Sequence, residues 1–153
     1  MERDRLIEQI LDRLLLMGSE ADRLTGAAAA FNQLNRTDLR ALQALRGGGM
    51  PAGTLARALG VTSGATTRVI DSLVASGHVA READPTDRRR VLVRLTPAAE
   101  AQVDRTFDQL REDTRSMLRA YSDGELETIA RFLEDVRSVV RDHARRLSPR
   151  SRP

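Results

Sequence analysis

The chain has 153 residues, of which 41% are hydrophobic and only 3% aromatic, so we expect one domain with a core of Leu, Ala, Val and Ile. It contains no cysteine, which excludes a disulfide framework, a thiolate zinc site and thiol-based redox sensing. The net charge is +3, no apolar run approaches a membrane span, and the charged N-terminus shows no signal peptide, so we expect a cytoplasmic protein.

Positive charge is concentrated in the middle of the chain and at its C-terminal end. Residues 36–96 contain ten arginines and five acidic residues, whereas residues 97–140 contain six arginines and ten acidic residues. Every basic residue is arginine, which suits paired hydrogen bonds to guanine or phosphate, although a GC-rich genome also explains the bias. The basic central segment therefore predicts a nucleic-acid partner.

The first predicted element is an amphipathic helix over residues 2–35, which Gly18 and Gly26 are expected to kink or interrupt. Its apolar stripe is too broad for a solvent-facing helix, so we expect it to need a partner. We assign three of its residues to dimerisation: Leu6, Ile10 and Leu14.

The next predicted helix begins at Thr37, which we expect to cap it, and ends at the run Gly47 to Gly49. Pro51 fits the first turn of the helix that follows. That helix carries Leu55, Ala56 and Leu59 on one face and is expected to stop at Gly60.

The central prediction is a second, exposed helix directly after that turn. Thr62 is expected to cap it, and Thr66, Val69, Ile70 and Leu73 form its buried face. Short polar side chains and a glycine on the other face would let the helix lie deep in a DNA groove. The candidate DNA-binding residues are therefore Thr62, Ser63, Gly64, Ala65, Thr67 and Arg68.

Two strands are predicted after Gly77, over residues 78–83 and 91–95, because apolar and polar residues alternate. Val91, Val93 and Leu95 point to one side, and Leu92 and Arg94 to the other. The turn between the strands contains Asp and Pro and then three consecutive arginines, which repel one another unless an anion lies across them. A helix-turn-helix followed by such a basic hairpin is a winged helix.

The run from Leu55 to Thr96 resembles the DNA-binding lobe of the MarR (multiple antibiotic resistance regulator) family of bacterial transcription factors. The wing signature stands here as Asp87, Arg89, Val93, Leu95 and Thr96. The pattern L-A-x-x-L-G-V-T at residues 55–62 is also similar to the family.

The resemblance implies roles for the residues of the wing. Arg89 matches the family arginine that inserts into the minor groove, where narrow A·T-rich sequence concentrates negative potential, and Asp87 matches the aspartate that holds it. Arg88 and Arg90 are expected to meet phosphates, which position the lobe without reading sequence. The alternative is a solvated basic turn.

For the recognition helix, we expect Ser63, Thr67 and Arg68 to reach base edges or phosphates, with Arg68 the best candidate for reading guanine. The alternative is that Arg68 only pairs with Asp71, and both can hold if Asp71 orients the guanidinium. Ala65 is either a contact to a thymine methyl or a helix filler. Further phosphate contacts are expected from two residues near helix starts, Thr37 and Thr54.

After the hairpin, a helix is predicted from Pro97 to about Tyr121, and another follows, capped by Ser122. Coiled-coil-like seams on these helices need more apolar partners than a small winged helix supplies. A homodimer with interlocked terminal helices is the economical solution, and the resemblance implies the same triangular dimer. In the last helix the dimerisation residues are Leu126, Ile129, Leu133, Val136 and Val140.

The expected fold is mostly α with a small β-hairpin, a winged helix-turn-helix lobe and N- and C-terminal dimerisation helices. We expect a single domain over residues 1–147, with the lobe at 36–96, dimerisation helices at 1–35 and 97–147, and a disordered basic tail at 148–153. The lone histidines His78 and His143 suggest no metal, no cofactor motif is present, and no enzymatic motif is found.

The function that we expect is a homodimeric repressor that binds a palindromic operator in double-stranded DNA. The resemblance implies an effector pocket between the dimerisation helices and the lobe, for a small aromatic or phenolic compound whose identity and existence the sequence leaves open. Three residues that are equally good core residues could line it: Leu15, Phe31 and Phe107. The alternative function is a protein-interaction module whose DNA binding is weak or absent.

Overall fold

The computed structural model describes residues 1–147, which form six helices and one antiparallel hairpin. The predicted tail at 148–153 lies outside the described residues. The expected fold, mostly helical with a two-stranded hairpin, is confirmed. In chain order the elements are α1 (Glu2–Phe31), α2 (Arg36–Leu45), α3 (Ala52–Leu59), α4 (Ser63–Ala75), β1 (Val79–Ala83), β2 (Val91–Leu95), α5 (Pro97–Leu118) and α6 (Asp123–Leu147).

The described residues divide into two compact units, residues 1–107 and residues 108–147. The first contains α1 to α4, the hairpin and the beginning of α5, and the second contains the rest of α5 and α6. None of the helices in the described part of the chain has the length and apolarity that crossing a membrane requires.

The core of the first unit is aliphatic, as a chain with so few aromatic residues requires. Helices α2, α3 and α4 pack together and against the base of the hairpin, and α1 contributes two small residues to the same cluster. Burying side chains of this size contributes about 1.5–3 kcal/mol each before the entropy of ordering them is subtracted. The largest fully buried aliphatic side chains are Leu39, Leu42, Leu55, Ile70, Leu73, Val93 and Val103.

The helix-turn-helix forms where the sequence predicts it. Gly60 follows α3 with φ +70°, a left-handed conformation that costs glycine little. Thr62 caps α4, because its Oγ1 accepts a hydrogen bond from the Ala65 N–H at 3.3 Å. Gly77, with φ +74°, ends the turn that leads from α4 into β1.

The expectation that Gly18 or Gly26 interrupts the N-terminal helix is wrong. Helix α1 is continuous over 30 residues and passes through both glycines. The guanidinium of Arg36 lies against Gly26, where a Cβ would collide with it, and pairs with Asp22 at 2.6 Å. Gly26 therefore makes room for a link between α1 and α2 and does not break the helix.

The predicted cap of α2 is also wrong. The helix begins at Arg36, and Asn35 is its cap, with Oδ1 accepting from the Asp38 N–H at 2.8 Å. Thr37 lies in the first turn. Pro51 similarly stands at the cap of α3, one residue before the position expected for it.

In the hairpin, Val79 pairs with Leu95 and Ala83 with Val91. Met50, just before α3, exchanges backbone hydrogen bonds of 3.1 and 2.9 Å with Val93, and so adds a one-residue bridge to the second edge of β2. Leu92 is buried although it lies on the other side of the strand from Val93, so both sides of β2 contribute to packing.

Helix α6, in the second unit, has no buried residue, although its apolar seam repeats every three or four positions. Ser122 caps it, with its N–H and Oγ donating to Glu125 Oε2 at 2.8 and 2.7 Å. These hydrogen bonds, that of the Ser122 hydroxyl first, lower the pKa of Glu125. Helix α1 likewise exposes large apolar residues along most of its length, including Leu6, Ile10, Leu15 and Leu16.

We expect Gly18→Ala to raise the free energy of unfolding by about 0.5–1 kcal/mol, because Gly18 lies inside a continuous helix and its Cβ would meet nothing within 4 Å. The matched change Gly60→Ala should lower it by about 1–2 kcal/mol, since alanine is strained at the left-handed position. Urea unfolding at one fixed protein concentration measures both. Destabilisation by Gly18→Ala would show that α1 needs a bend there.

Candidate nucleic-acid interface

Helix α4 is buried along one side and exposed along the other. Thr66, Ile70 and Leu73 are each 1% exposed, and this side fixes the helix on the core. The opposite side presents Ser63, Gly64, Thr67 and Arg68 to solvent, as the sequence predicts.

The exposed side of α4 carries small side chains near the N-terminal end of the helix. A Cβ on Gly64 would meet nothing within 4 Å, so this part of the helix can approach another surface closely. Thr67 donates its hydroxyl hydrogen to the Ser63 carbonyl at 3.0 Å, and its oxygen remains able to accept a hydrogen bond. Ala65 is half-buried.

Arg68 has no ion pair among residues 1–147. The interpretation that it pairs with Asp71 is wrong, because the Asp71 carboxylate is bound by Arg81 of β1, with Nη2 to Oδ1 at 2.5 Å. The Arg68 guanidinium is therefore exposed and available to an external acceptor.

The role of Arg81 was not predicted from the sequence. In β1, Arg81 shares a face with Val79 and pairs across the hairpin with the buried Val93. The Arg81 side chain is itself 44% exposed, and its strand packs against α4, which brings it within reach of Asp71. The sequence gives little signal for this pair, because a helix residue and a strand residue ten positions apart meet only through tertiary packing.

The wing loop, residues 84–90, is closed by its own hydrogen bonds. Asp84 is only 9% exposed and accepts from the Thr86 hydroxyl at 2.6 Å and the Thr86 N–H at 2.8 Å. The Asp84 N–H donates to the Arg90 carbonyl at 2.9 Å across the loop. Asp84 was predicted to form the turn, and these three hydrogen bonds hold it there.

These hydrogen bonds, that of the Thr86 hydroxyl first and then that of the Thr86 N–H, lower the pKa of Asp84 from its ordinary value. The folded loop therefore favours the carboxylate. This contribution to stability is present above the ordinary pKa of an aspartate and is lost as the pH falls through the lowered pKa.

The tip of the wing exposes three arginines, Arg88, Arg89 and Arg90. None of them has an ion pair with any residue in the described part of the chain. Asp87 shapes the backbone beneath them, with Oδ1 accepting from the Arg89 N–H at 3.1 Å and its carbonyl accepting from the Arg90 N–H at 2.9 Å. Asp87 thus holds Arg89 through the main chain.

Thr96 ties the base of the wing to α5. Its hydroxyl donates to the Gly77 carbonyl at 2.9 Å and accepts from the Ala99 N–H at 3.3 Å. The Thr96 N–H also donates to the His78 carbonyl at 3.0 Å. The threonine that ends the wing signature therefore closes the hairpin and starts the next helix.

Thr54 and Thr37, the two further phosphate candidates, lie in the first turns of α3 and α2. The Oγ1 of Thr54 accepts a hydrogen bond from Arg57 Nη2 at 3.0 Å, which places a guanidinium beside it. Thr37 is half-buried. Their contact with phosphate remains a prediction.

The three proposed pocket residues differ in their exposure. Phe107 belongs to the buried core, whereas Phe31 is 79% and Leu15 74% exposed. Phe31 borders an open cavity of about 380 Å³ whose lining is otherwise formed by Leu24, Ala27, Ala28, Arg105 and Thr106.

His78 lies in the connection between α4 and β1, with its Nδ1 2.7 Å from Ser76 Oγ, and His143 lies in α6. Within residues 1–147, no three side chains of the types that bind metals come together as a site. Burial raises the pKa of the nearby Asp38, and the charge of His78 partly offsets that rise.

Comparison with known proteins gives a consistent assignment. The sequence model of the MarR family matches residues 32–90. The chain is 36% identical over 122 residues to YcgE of Bacillus subtilis, an uncharacterized HTH-type transcriptional regulator, with 79% of each chain covered. It is 31% identical over 110 residues to the multiple antibiotic resistance protein MarR of Salmonella typhimurium, covering 71% of this chain and 76% of MarR.

Among solved structures, a mutant MarR from Escherichia coli complexed with operator DNA matches with a TM-score of 0.54 at 28% identity. The match covers 82% of this chain and 92% of that one. The match shows that the fold of this chain is shared with a MarR-family regulator. On its sequence identity and coverage, the chain belongs to the MarR family of transcriptional regulators.

Proposed function

We propose that this protein is a sequence-specific DNA-binding repressor that binds a palindromic operator as a homodimer. The observation that carries the proposal is one compact unit that exposes both the polar side of α4 and a wing tip whose arginines have no ion pairs among residues 1–147. Similarity to a MarR solved with operator DNA supports the same use of this surface.

In this proposal α4 enters the major groove, which admits an α-helix and displays a distinct pattern for each base pair. Ser63 and Thr67 contact base edges or phosphates, and the open space around Gly64 allows close approach. Arg68 reads guanine, because its exposed guanidinium can donate two hydrogen bonds to one base. The cap residue Thr62 and the first-turn residue Ala65 border the same contact.

The wing acts in the neighbouring minor groove. Arg89 inserts there, where a narrow groove favours a guanidinium, and Arg88 and Arg90 contact phosphates. The support for this is the exposed tip itself, held by Asp87 and Asp84 from beneath. Thr37 and Thr54 add backbone contacts from the starts of α2 and α3.

Dimerisation is supported by the apolar surface that a single chain leaves exposed. Leu6 is 51%, Ile10 43% and Leu133 56% exposed, and α6 has no buried residue. Exposed patches of this kind mark interfaces in stable proteins. Two copies that cover these stripes would hold two reading lobes about 34–36 Å apart, one turn of DNA. The remaining interface residues are Leu14, Leu126, Ile129, Val136 and Val140.

An effector of small aromatic or phenolic type would fit the cavity beside Phe31, where Arg105 offers a cation and the alanines an apolar wall. A ligand that favours a lobe spacing unsuited to the operator lowers affinity for DNA. By linkage, DNA then lowers affinity for the ligand by the same factor.

The first test is selection of duplexes from a random pool with the purified protein. We expect an enriched palindrome that binds at least about 10³-fold more tightly than unselected duplex at physiological salt. Affinity should fall steeply with salt, because phosphate contacts release counterions. Equal affinity for all duplexes, or none, would favour a protein-interaction module.

We expect Arg89→Ala to weaken binding to the selected operator by about 1–3 kcal/mol and to reduce preference at the base pairs under the wing. The neighbouring change Arg88→Ala is the matched control. It removes the same charge from the same loop but should weaken operator and random duplex equally. Fluorescence anisotropy against both duplexes measures the difference, and unchanged affinity in Arg89→Ala would contradict the minor-groove assignment.

Leu133→Arg should abolish the dimer and weaken operator binding together, because it places a charge in the apolar seam of α6. Ser138→Arg adds the same charge on the opposite side of that helix and should leave both intact. Light scattering after size exclusion gives the mass, and circular dichroism confirms helicity. A monomeric Leu133→Arg that still bound the full palindrome tightly would contradict the proposed architecture.

A further inference from the structure

Asp71 stands out on the exposed side of α4 as an acidic residue beside the residues proposed to meet DNA. It follows Gly64, Thr67 and Arg68 on the same side of the helix, one turn further along. Its carboxylate is bound by Arg81 of β1 at 2.5 Å, and the two side chains are 58% and 44% exposed.

Asp71 has two arginines within its reach. Side chains three residues apart on a helix are neighbours, so Arg68 could bind the same carboxylate. In the structure Arg81 is the partner, and Arg68 has no ion pair within residues 1–147. The hairpin therefore supplies the cation that pairs with Asp71, and Arg68 of α4 remains unpaired within the described residues.

We propose that Arg81 is a positioning residue for operator recognition. By binding Asp71, it prevents that carboxylate from capturing Arg68, so that the Arg68 guanidinium stays available to DNA. It also cancels a negative charge that would otherwise face the phosphates. This inference rests on the proposed DNA-binding function.

A role in folding alone explains the pair poorly. Ion pairs between side chains this exposed contribute little to the stability of a protein. The Asp71–Arg81 pair instead joins the two elements proposed to contact DNA, and its loss changes which charges α4 presents. Its effect should therefore appear in binding to DNA before it appears in unfolding.

The test uses Arg81→Met, which keeps an apolar stem and removes the charge and the donors. In this variant Asp71 is free to bind Arg68 in each of the two lobes of the proposed dimer. This should weaken binding to the duplex selected by the wild-type protein by about two- to fivefold. The control is Arg94→Met, which removes the same charge from the other side of the same hairpin, where Arg94 pairs with Glu82 at 3.3 Å. Equal weakening in both variants would mean long-range charge alone, and would overturn the inference.

Rescue supplies the second measurement. Asp71→Asn added to Arg81→Met should restore operator affinity at least to that of the wild type, because no carboxylate remains to capture Arg68. In an Arg68→Ala background, Arg81→Met should weaken binding no more than Arg94→Met does. If operator affinity stays low when Asp71→Asn is combined with Arg81→Met, Arg81 contacts DNA itself, which would refute the positioning role.

The two proposals fail differently. If the wild-type protein selects no duplex, both the proposed function and this inference are wrong. If the wild-type protein selects a palindrome but Arg81→Met binds it as tightly as the wild type does, only the inference is wrong. Urea unfolding of each variant should give midpoints close to the wild-type value, as expected for an exposed pair.

Discussion

Burial of one side of α4 is the constraint on which the presentation of the other side depends. Thr66, Ile70 and Leu73 are almost completely inaccessible, so the helix cannot rotate without exposing apolar surface. That fixes Thr67 and Arg68 outward. The turn at Gly60 and the cap at Thr62 set the point along the chain where the helix begins, and the polar positions follow from it.

The hairpin is held to this helix by contacts that are local in space but distant in sequence. Val79 and Val93 join the core, Met50 bridges β2 from the loop before α3, and Arg81 reaches back to Asp71. Two proposed DNA contacts, a helix and a wing, are thereby supported by one aliphatic cluster. In a chain with so few aromatic residues, close packing of small aliphatic side chains has to supply that rigidity.

Much of this could be predicted from sequence because the signals were short-range. Helical periodicity identified the buried side of α4, glycine identified the end of α3, and the Asp-Pro turn with three arginines identified the wing. The errors arose where a long-range contact decided between local options. Gly26 was expected to interrupt α1, but Arg36 occupies the space that its missing side chain leaves.

The same reasoning explains the other corrections. Asn35 and Thr37 are both plausible caps by residue type. In the structure Asn35 is the cap, and Asp38, whose N–H donates to its side chain, is buried. Arg68 and Arg81 are both plausible partners for Asp71, and the register of the hairpin selects Arg81. The pocket residues could not be separated from core residues, because an apolar side chain at helical spacing suits either role. Phe107 is core and Phe31 is exposed.

The wing loop has one further consequence. Asp84 closes the loop internally through Thr86 and Arg90, so the arginine-bearing segment already has a defined backbone before anything binds it. A loop that is ordered in advance gives up little conformational entropy on complex formation, and more of its contact energy is retained as affinity. Long, freely rotating side chains carried on a stiff base can also sample nearby phosphates while the frame stays in register. In the proposed complex, the side chains could therefore adjust to phosphates while the backbone of the loop keeps its conformation.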